Sequence, residues 1–309
     1  MPPERAGEGS VETAGVHTAA TAEVAAARSS RKRVALVIGS GSVQCAAALG
    51  LWKVLQREQI DIDLLVGCSG GSLYASVMAL GHDVDTCERL TRELWTPELT
   101  RRRDLRSLLS AAMPRAFGFD GSFGMISDRQ LLTTLEELFG QSRIEDTGVP
   151  LHIVATDAAN GQMVPLGSGY VRDAVRASIA IPYIWKPWTV DGRSLFDGCA
   201  SDPLPVDVAI REGADVILAM GFESPFPKRV RSATRYAFQV NSIYTNNLFR
   251  ANYAFHNLAH HAEIIPVLPE FDRPVRLFDT HEIPYVIEEG ERAAEAQLNY
   301  LRQALEGPV

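Results

Sequence analysis

Leu64-Leu65-Val66-Gly67-Cys68-Ser69-Gly70-Gly71-Ser72 reads as a strand, a turn and the start of a helix. The apolar triplet has no polar interruption, as expected of a strand covered on both faces. The glycines that follow allow a turn too tight for bulky neighbours. Ser72 to Leu80 then has helical composition. A serine between glycines at such a junction matches the G-x-S-x-G nucleophile elbow, which lifts the hydroxyl to the C-terminal edge of a sheet at a helix N-terminus. The same residues also fit a glycine-rich turn that only opens a helix. Chemistry therefore needs a second residue elsewhere in the chain.

Working outward, Val34-Ala35-Leu36-Val37-Ile38 is another buried strand, followed by the small-residue loop Gly39-Ser40-Gly41-Ser42 and a helix over 46–56. Residues 83–139 are mostly helical in pattern, with Ser127-Asp128-Arg129-Gln130 as a capping box ahead of Leu131, Leu132, Leu135 and Leu138. A strand over 151–156 precedes a hairpin in which Asp191-Gly192 joins Trp188-Thr189-Val190 to Ser194-Leu195-Phe196. A helix over 206–211, a strand over 216–220 and helices over about 230–262 and 284–305 flanking Ile264-Ile265-Pro266-Val267 complete the pattern. Repeated strand-helix alternation predicts a three-layer α/β/α fold with a mostly parallel central sheet.

The chain has 309 residues, 46% of them hydrophobic, enough for one substantial core. That core is expected to span 31–309. Residues 1–30 hold no aromatic side chain and are expected to be a disordered leader. Arg31-Lys32-Arg33 reads as a solvated boundary before the first strand. Thirty basic residues against thirty-eight acidic ones give a net charge of −8, a poor match for a phosphate backbone, so nucleic acid is not expected as a partner. Cys45, Cys68, Cys87 and Cys199 lack the density of a disulfide scaffold and the pairing of a zinc ribbon. Reduced thiols, no apolar run of about 18–20 residues and no signal-peptide pattern lead to the expectation of a cytoplasmic protein, with peripheral membrane attachment left open.

A serine hydroxyl needs a base. None of the seven histidines stands at a strand end, and His256, His260 and His261 are expected on the surface of a polar helix, which leaves a Ser-His-Asp triad open but unsupported. Asp197 ends Ser194-Leu195-Phe196 and precedes Gly198, the position of a strand-end base. The loop Gly39-Ser40-Gly41-Ser42 can present backbone N–H groups to a developing oxyanion. A dinucleotide fingerprint there fails at Gln44, where a third glycine is required, and lacks an acid for the ribose. Arg101-Arg102-Arg103, Arg106, Phe117, Phe119 and Phe123, with glycines between, suit either a lid that meets anionic lipid or a solvated basic helix and loop. Trp185-Lys186-Pro187-Trp188 is open to two readings, an acyl cleft or membrane contact on one side and core packing on the other.

The ordered blocks Val34 to Gly41, Asp63 to Ser72, Arg176-Ala177-Ser178-Ile179-Ala180-Ile181-Pro182 and Asp197-Gly198 resemble the patatin-like phospholipases, in particular the bacterial branch related to the neuropathy-target-esterase group. The similarity covers roughly 32–305. The resemblance implies a Ser69-Asp197 dyad that hydrolyses acyl esters of lipids, as phospholipase, lysophospholipase or esterase, without metal, cofactor or histidine. It implies an oxyanion hole at Gly41, Ser42 and Val43, a lipid acyl ester as partner, and room for transient contact with a membrane surface. Gln44 and Cys45 depart from the family, which has a basic residue and a glycine there. That departure keeps two alternatives open: a catalytically impaired relative that binds lipid or regulates, and an acyltransferase. It also raises the question of whether Cys45 can adopt an angle reserved for glycine.

Overall fold

A computed structural model describes residues 31–94, 96–223, 230, 233–259, 262–276 and 279–306; the expected leader, with His260 and His261, lies outside the described residues. The strands are β1 (Val34–Ile38), β2 (Leu64–Cys68), β3 (Leu151–Asp157), β4 (Met163–Leu166), β5 (Trp188–Val190), β6 (Arg193–Asp197), β7 (Val216–Met220) and β8 (Glu263–Val267). The helices are α1 (Ala47–Arg57), α2 (Gly70–Ala79), α3 (Val84–Leu94), α4 (Leu105–Ala112), α5 (Pro114–Phe117), α6 (Arg129–Phe139), α7 (Val171–Ser178), α8 (Val206–Arg211), α9 (Ala233–Ala259) and α10 (Ile283–Glu306).

Every residue of β1, β2 and β7 is buried, because alternate side chains feed two separate cores. Val34, Leu36 and Ile38 join Leu65, Leu218, Leu49, Leu73 and Ile287 on one face. Ala35 and Val37 join Val66, Ile217, Val206, Val208 and Phe249 on the other. Helices α1, α2 and α10 therefore cover one side of the sheet and α8 and α9 the other, giving three layers. Each fully buried Leu or Ile contributes about 1.5–3 kcal/mol, which explains the length-matched apolar runs in these strands.

The parallel core runs β3-β2-β1-β7-β8. Strand β3 is where the sheet changes character. Along one edge its residues Leu151–Val154 pair with β2, and Ala155, Thr156 and Asp157 pair antiparallel with β6; β4 occupies the opposite edge. Strand β6 thus enters where β2 stops. Cys68 pairs with Val154 and Asp197 with Ala155, so the residue after Cys68 meets the end of β6. This register collapses a separation of 128 positions into one contact.

Two local expectations change. Strand β4 is absent from the sequence reading because it is four residues long with an exposed Pro165, a residue tolerated at an edge that needs no donor. The capping box before α6 does not form: Asp128 is the N-cap but makes no capping hydrogen bond. Its carboxylate instead accepts from the buried Arg176 Nη2 at 2.9 Å, a stronger demand than capping an exposed helix start.

Candidate active site

Ser69 sits between β2 and α2 with φ 53° and ψ −125°, a region that costs a side-chain-bearing residue of order 1–3 kcal/mol. Glycine neighbours make the turn possible. A Cβ on Gly71 would lie 2.2 Å from the Ile38 carbonyl oxygen, and one on Gly70 would lie 2.6 Å from the Ser42 nitrogen. Although a serine at an N-cap ordinarily turns its oxygen back to the helix, Ser69 makes no capping bond. Its hydroxyl donates to Asp197 Oδ2 at 2.7 Å.

Asp197 is fully buried. Its backbone N–H donates to Ala180 O at 3.1 Å, its carbonyl accepts from the Thr156 hydroxyl at 2.9 Å, and its Oδ1 accepts from Cys199 N at 2.9 Å. Only Oδ2 is directed at Ser69. Burial raises the carboxyl from its ordinary 3.8 to about 6, against the opposing effect of the hydrogen bonds from Cys199 and Ser69. Such a group is ionised at neutral pH and still basic enough to take a proton. Gly198 is required by close approach: a Cβ there would fall 2.3 Å from the Val154 carbonyl oxygen.

The loop after β1 lies against this pair. Ser42 carries the positive φ, 55°, and its backbone touches Gly70. Gly41 abuts the Phe222 ring, and Val43 is buried at the start of the 3₁₀ turn Ser42–Ala46. The loop is tied to the Asp197 side of the site by Ser40 N–H donating to Pro203 O at 2.8 Å. Cys45 lies within the 3₁₀ turn and is not among the residues of positive φ. The fear of a glycine-only angle is therefore misplaced by three residues. Its thiol donates to Gly39 O at 3.3 Å and fastens the loop. Gln44 is buried and lines a cleft of roughly 540 Å³ with Phe222, Phe249, Leu268 and Phe271, a lining that does not include Ser69.

Burial holds the Cys45, Cys68 and Cys199 thiols well above their ordinary range, with the Asp197 charge adding to it, so they stay protonated as small packing groups. Among the described residues no group of three His, Cys, Asp or Glu side chains is arranged to hold a metal ion. His152 faces Glu212, and His281 faces Glu282. His256 is buried on α9, against the expectation of a surface position. Trp185 is core, Lys186 pairs with Asp104 at 2.8 Å, and Trp188 lies under the Arg176 guanidinium with its indole N–H donating to Asp173. Packing accounts for the two tryptophans and an ion pair for Lys186.

Ser178 is the residue the sequence reading left without a role. Its hydroxyl accepts from Ser69 N–H at 2.9 Å and donates to Val154 O at 2.6 Å, so it pins the strained backbone of Ser69 to β3. Thr156 does the same for Asp197. A hydroxyl two residues after a buried arginine, in the block Arg176-Ala177-Ser178, was the available signal, but nothing local in it points to Ser69.

The family model described as patatin-like phospholipase matches residues 36–210, a stretch that contains Gly41, Ser42, Val43, Ser69, Ser178 and Asp197. An uncharacterized NTE family protein of Mycobacterium tuberculosis is 31% identical over 231 residues, 75% of this chain and 59% of that protein. The neuropathy target esterase of Drosophila melanogaster is 30% identical over 191 residues, 60% of this chain and 13% of that protein. The chain thus spans well under two thirds of the length of these relatives. Among solved structures, VipD from Legionella pneumophila aligns with TM-score 0.47 and 14% identity over 88% of this chain and 67% of that one.

Proposed function

This chain belongs to the patatin-like phospholipase family, and from that premise we propose that it is a serine acyl hydrolase that cleaves acyl esters of lipids. The observation that carries the reading is the 2.7 Å hydrogen bond from the Ser69 hydroxyl to Asp197 Oδ2 inside a buried sheet edge. The Ser69 oxygen attacks the ester carbonyl while its proton passes to Oδ2. Backbone amides of Gly41, Ser42 and Val43 hold the oxyanion; one such donor is worth about 2.7–4 kcal/mol in the transition state. Collapse of the tetrahedral intermediate breaks the C–O bond, and the departing alkoxide takes the proton from Asp197. Water then attacks the acyl-enzyme and gives a proton to Asp197; collapse breaks the C–O bond to Ser69, Asp197 returns the proton to the Ser69 oxygen, and the carboxylic acid leaves.

The relatives' names support ester chemistry, since one of them is an esterase by name. Of the two departures behind the alternative of a catalytically impaired relative, Cys45 occupies ordinary helical backbone and contributes a hydrogen bond, which supports the active reading, while Gln44 lacks the family's cation. The test is turnover by the purified chain on short acyl esters, diacyl phospholipid and lysophospholipid, with Ser69→Ala as the control. The expected result is hydrolysis that the control lacks. Undiminished hydrolysis in Ser69→Ala, or no hydrolysis of any of the three by the native chain, overturns it.

A further inference from the structure

Between the bridge partners Arg103 and Ile126, the chain leaves the three-layer body and exposes what a soluble surface normally hides. Every residue from Ala111 to Ser122 is exposed. Leu105 and Leu109 share a face of α4, 70% and 41% exposed, and Met113, Phe117 and Phe119, past the end of that helix, are exposed as well. Exposed large apolar side chains gathered within so short a segment mark a surface that meets something.

Charge says what. Residues 101–123 contain Arg101, Arg102, Arg103, Arg106 and Arg115 against Asp104 and Asp120, a net charge of +3 in a chain of net charge −8. Asp104 is already engaged by Lys186 at 2.8 Å. Arg101, Arg102, Arg103 and Arg115 are exposed and form no ion pair among the described residues. Cations flanking an exposed apolar row match an anionic lipid surface, in which the apolar side chains enter the acyl boundary and the guanidinium groups meet phosphate and carboxylate.

The ridge is also rooted beside the candidate dyad. Met125 N–H and Ile126 N–H donate to Tyr183 O and Ile184 O, each at 2.9 Å. That loop follows Ser178, which holds the Ser69 backbone, and Ala180, which holds the Asp197 backbone at 3.1 Å. We propose that residues 101–119 form a docking ridge for an anionic lipid surface. The inference concerns binding, and it stands whether or not the chain hydrolyses what it docks to.

The experiment uses the full chain carrying Ser69→Ala, so that no turnover alters the membrane, co-sedimented with vesicles of phosphatidylcholine plus phosphatidylserine and of phosphatidylcholine alone. Binding to the mixed vesicles, weakened by salt, is expected. The triple change Arg101→Gln, Arg102→Gln, Arg115→Gln lowers partition on the order of a hundredfold. The pair Leu109→Ser, Phe117→Ser, all at exposed sites, removes binding to both vesicle types with unchanged circular dichroism. With Ser69 restored, both sets keep native turnover of a soluble short-chain ester. Absent binding to mixed vesicles, or binding indifferent to both sets, overturns the proposal. So does self-association of the chain that the same variants abolish without any vesicle binding, which would assign the ridge to a second copy. Loss of soluble-ester turnover in the ridge variants would place the ridge in the site itself and likewise overturn a pure docking role. Because binding is read in Ser69→Ala, failure of the hydrolase reading leaves this result unaffected.

Discussion

The turns after β1 and β2 leave adjacent parallel strands, and each places a serine at positive φ, Ser42 at 55° and Ser69 at 53°. Their anchors differ. At Ser69 hydroxyl groups hold the backbone: Ser178 Oγ accepts its N–H, and Ser72 Oγ donates to its carbonyl, which frees the Ser69 side chain for Asp197. At Ser42 the loop is held by Ser40 N–H on Pro203 O and by the Cys45 thiol on Gly39 O, and what it turns toward Gly70 is backbone. One turn displays a side chain and the other a main chain. The difference teaches that two equivalent junctions of one sheet acquire complementary roles through what fastens them.

The comparison breaks first at the side chain itself. Ser69→Ala and Asp197→Asn each lower acyl-ester turnover by about ten-thousandfold or more, read as initial rates on a soluble ester. Gly70→Ala attacks the interface between the turns, since its Cβ would fall 2.6 Å from Ser42 N and 2.7 Å from Ser42 Cα. Displacing the loop is expected to cost about a hundredfold to a thousandfold in kcat, the worth of a misplaced oxyanion donor.

The pH response bears on the β2 side, where the Ser69 hydroxyl donates to the buried Asp197 carboxylate; Asp202, next to the Pro203 that holds the β1 loop, is likewise pushed up to about 6 by burial. With the Asp197 carboxyl raised to about 6, kcat/KM falls tenfold per pH unit below that value and is flat above it, up to the next ionisation. The stability effect has the opposite sense. The folded state holds the proton more tightly than the unfolded chain, so the contribution present below about pH 4 is lost as pH rises through about 6, a loss of about 3 kcal/mol. Asp197→Asn, inactive, is therefore more stable than the native chain at pH 8 in urea unfolding, provided the amide keeps the bonds to Cys199 and Ser69.

Smaller effects sharpen the contrast. Ser178→Ala leaves the buried Ser69 N–H without its acceptor and destabilises by about 1–3 kcal/mol. Ser72→Ala does less, since Ser72 N–H already donates to Ser69 O at 2.9 Å. Cys45→Ala removes one weak thiol donor and changes stability by about 1 kcal/mol or less, with turnover within a few-fold of native; both are read by the same urea titrations and ester assay.

The buried strands were legible because each is an uninterrupted apolar run, and the hairpin because Asp191-Gly192 announces its turn, with both residues at positive φ in the structure. Ser69 and Asp197 were legible as strand-end residues, each from its own neighbours. What no local pattern contains is the register: β6 following β2 along one edge of β3 is a fact about three strands drawn from distant parts of the chain. Ser178 and Thr156 were hidden for the same reason, since their partners lie 109 and 41 positions away. The question about Cys45 is answered by backbone conformation, which no residue type announces: Cys45 is helical and the positive φ sits at Ser42. His256 differs in the converse way: expected on the surface of a polar helix, its side chain is buried.

The most direct test of the central claim is covalent labelling by a fluorophosphonate, mapped by mass spectrometry across pH in the native chain and in Asp197→Asn. A Ser69 nucleophile activated by Asp197 alone predicts a single adduct on Ser69, with a labelling rate governed by one ionisation near 6 and lost in Asp197→Asn. An adduct on a different residue, or undiminished labelling of Ser69 in Asp197→Asn, contradicts it.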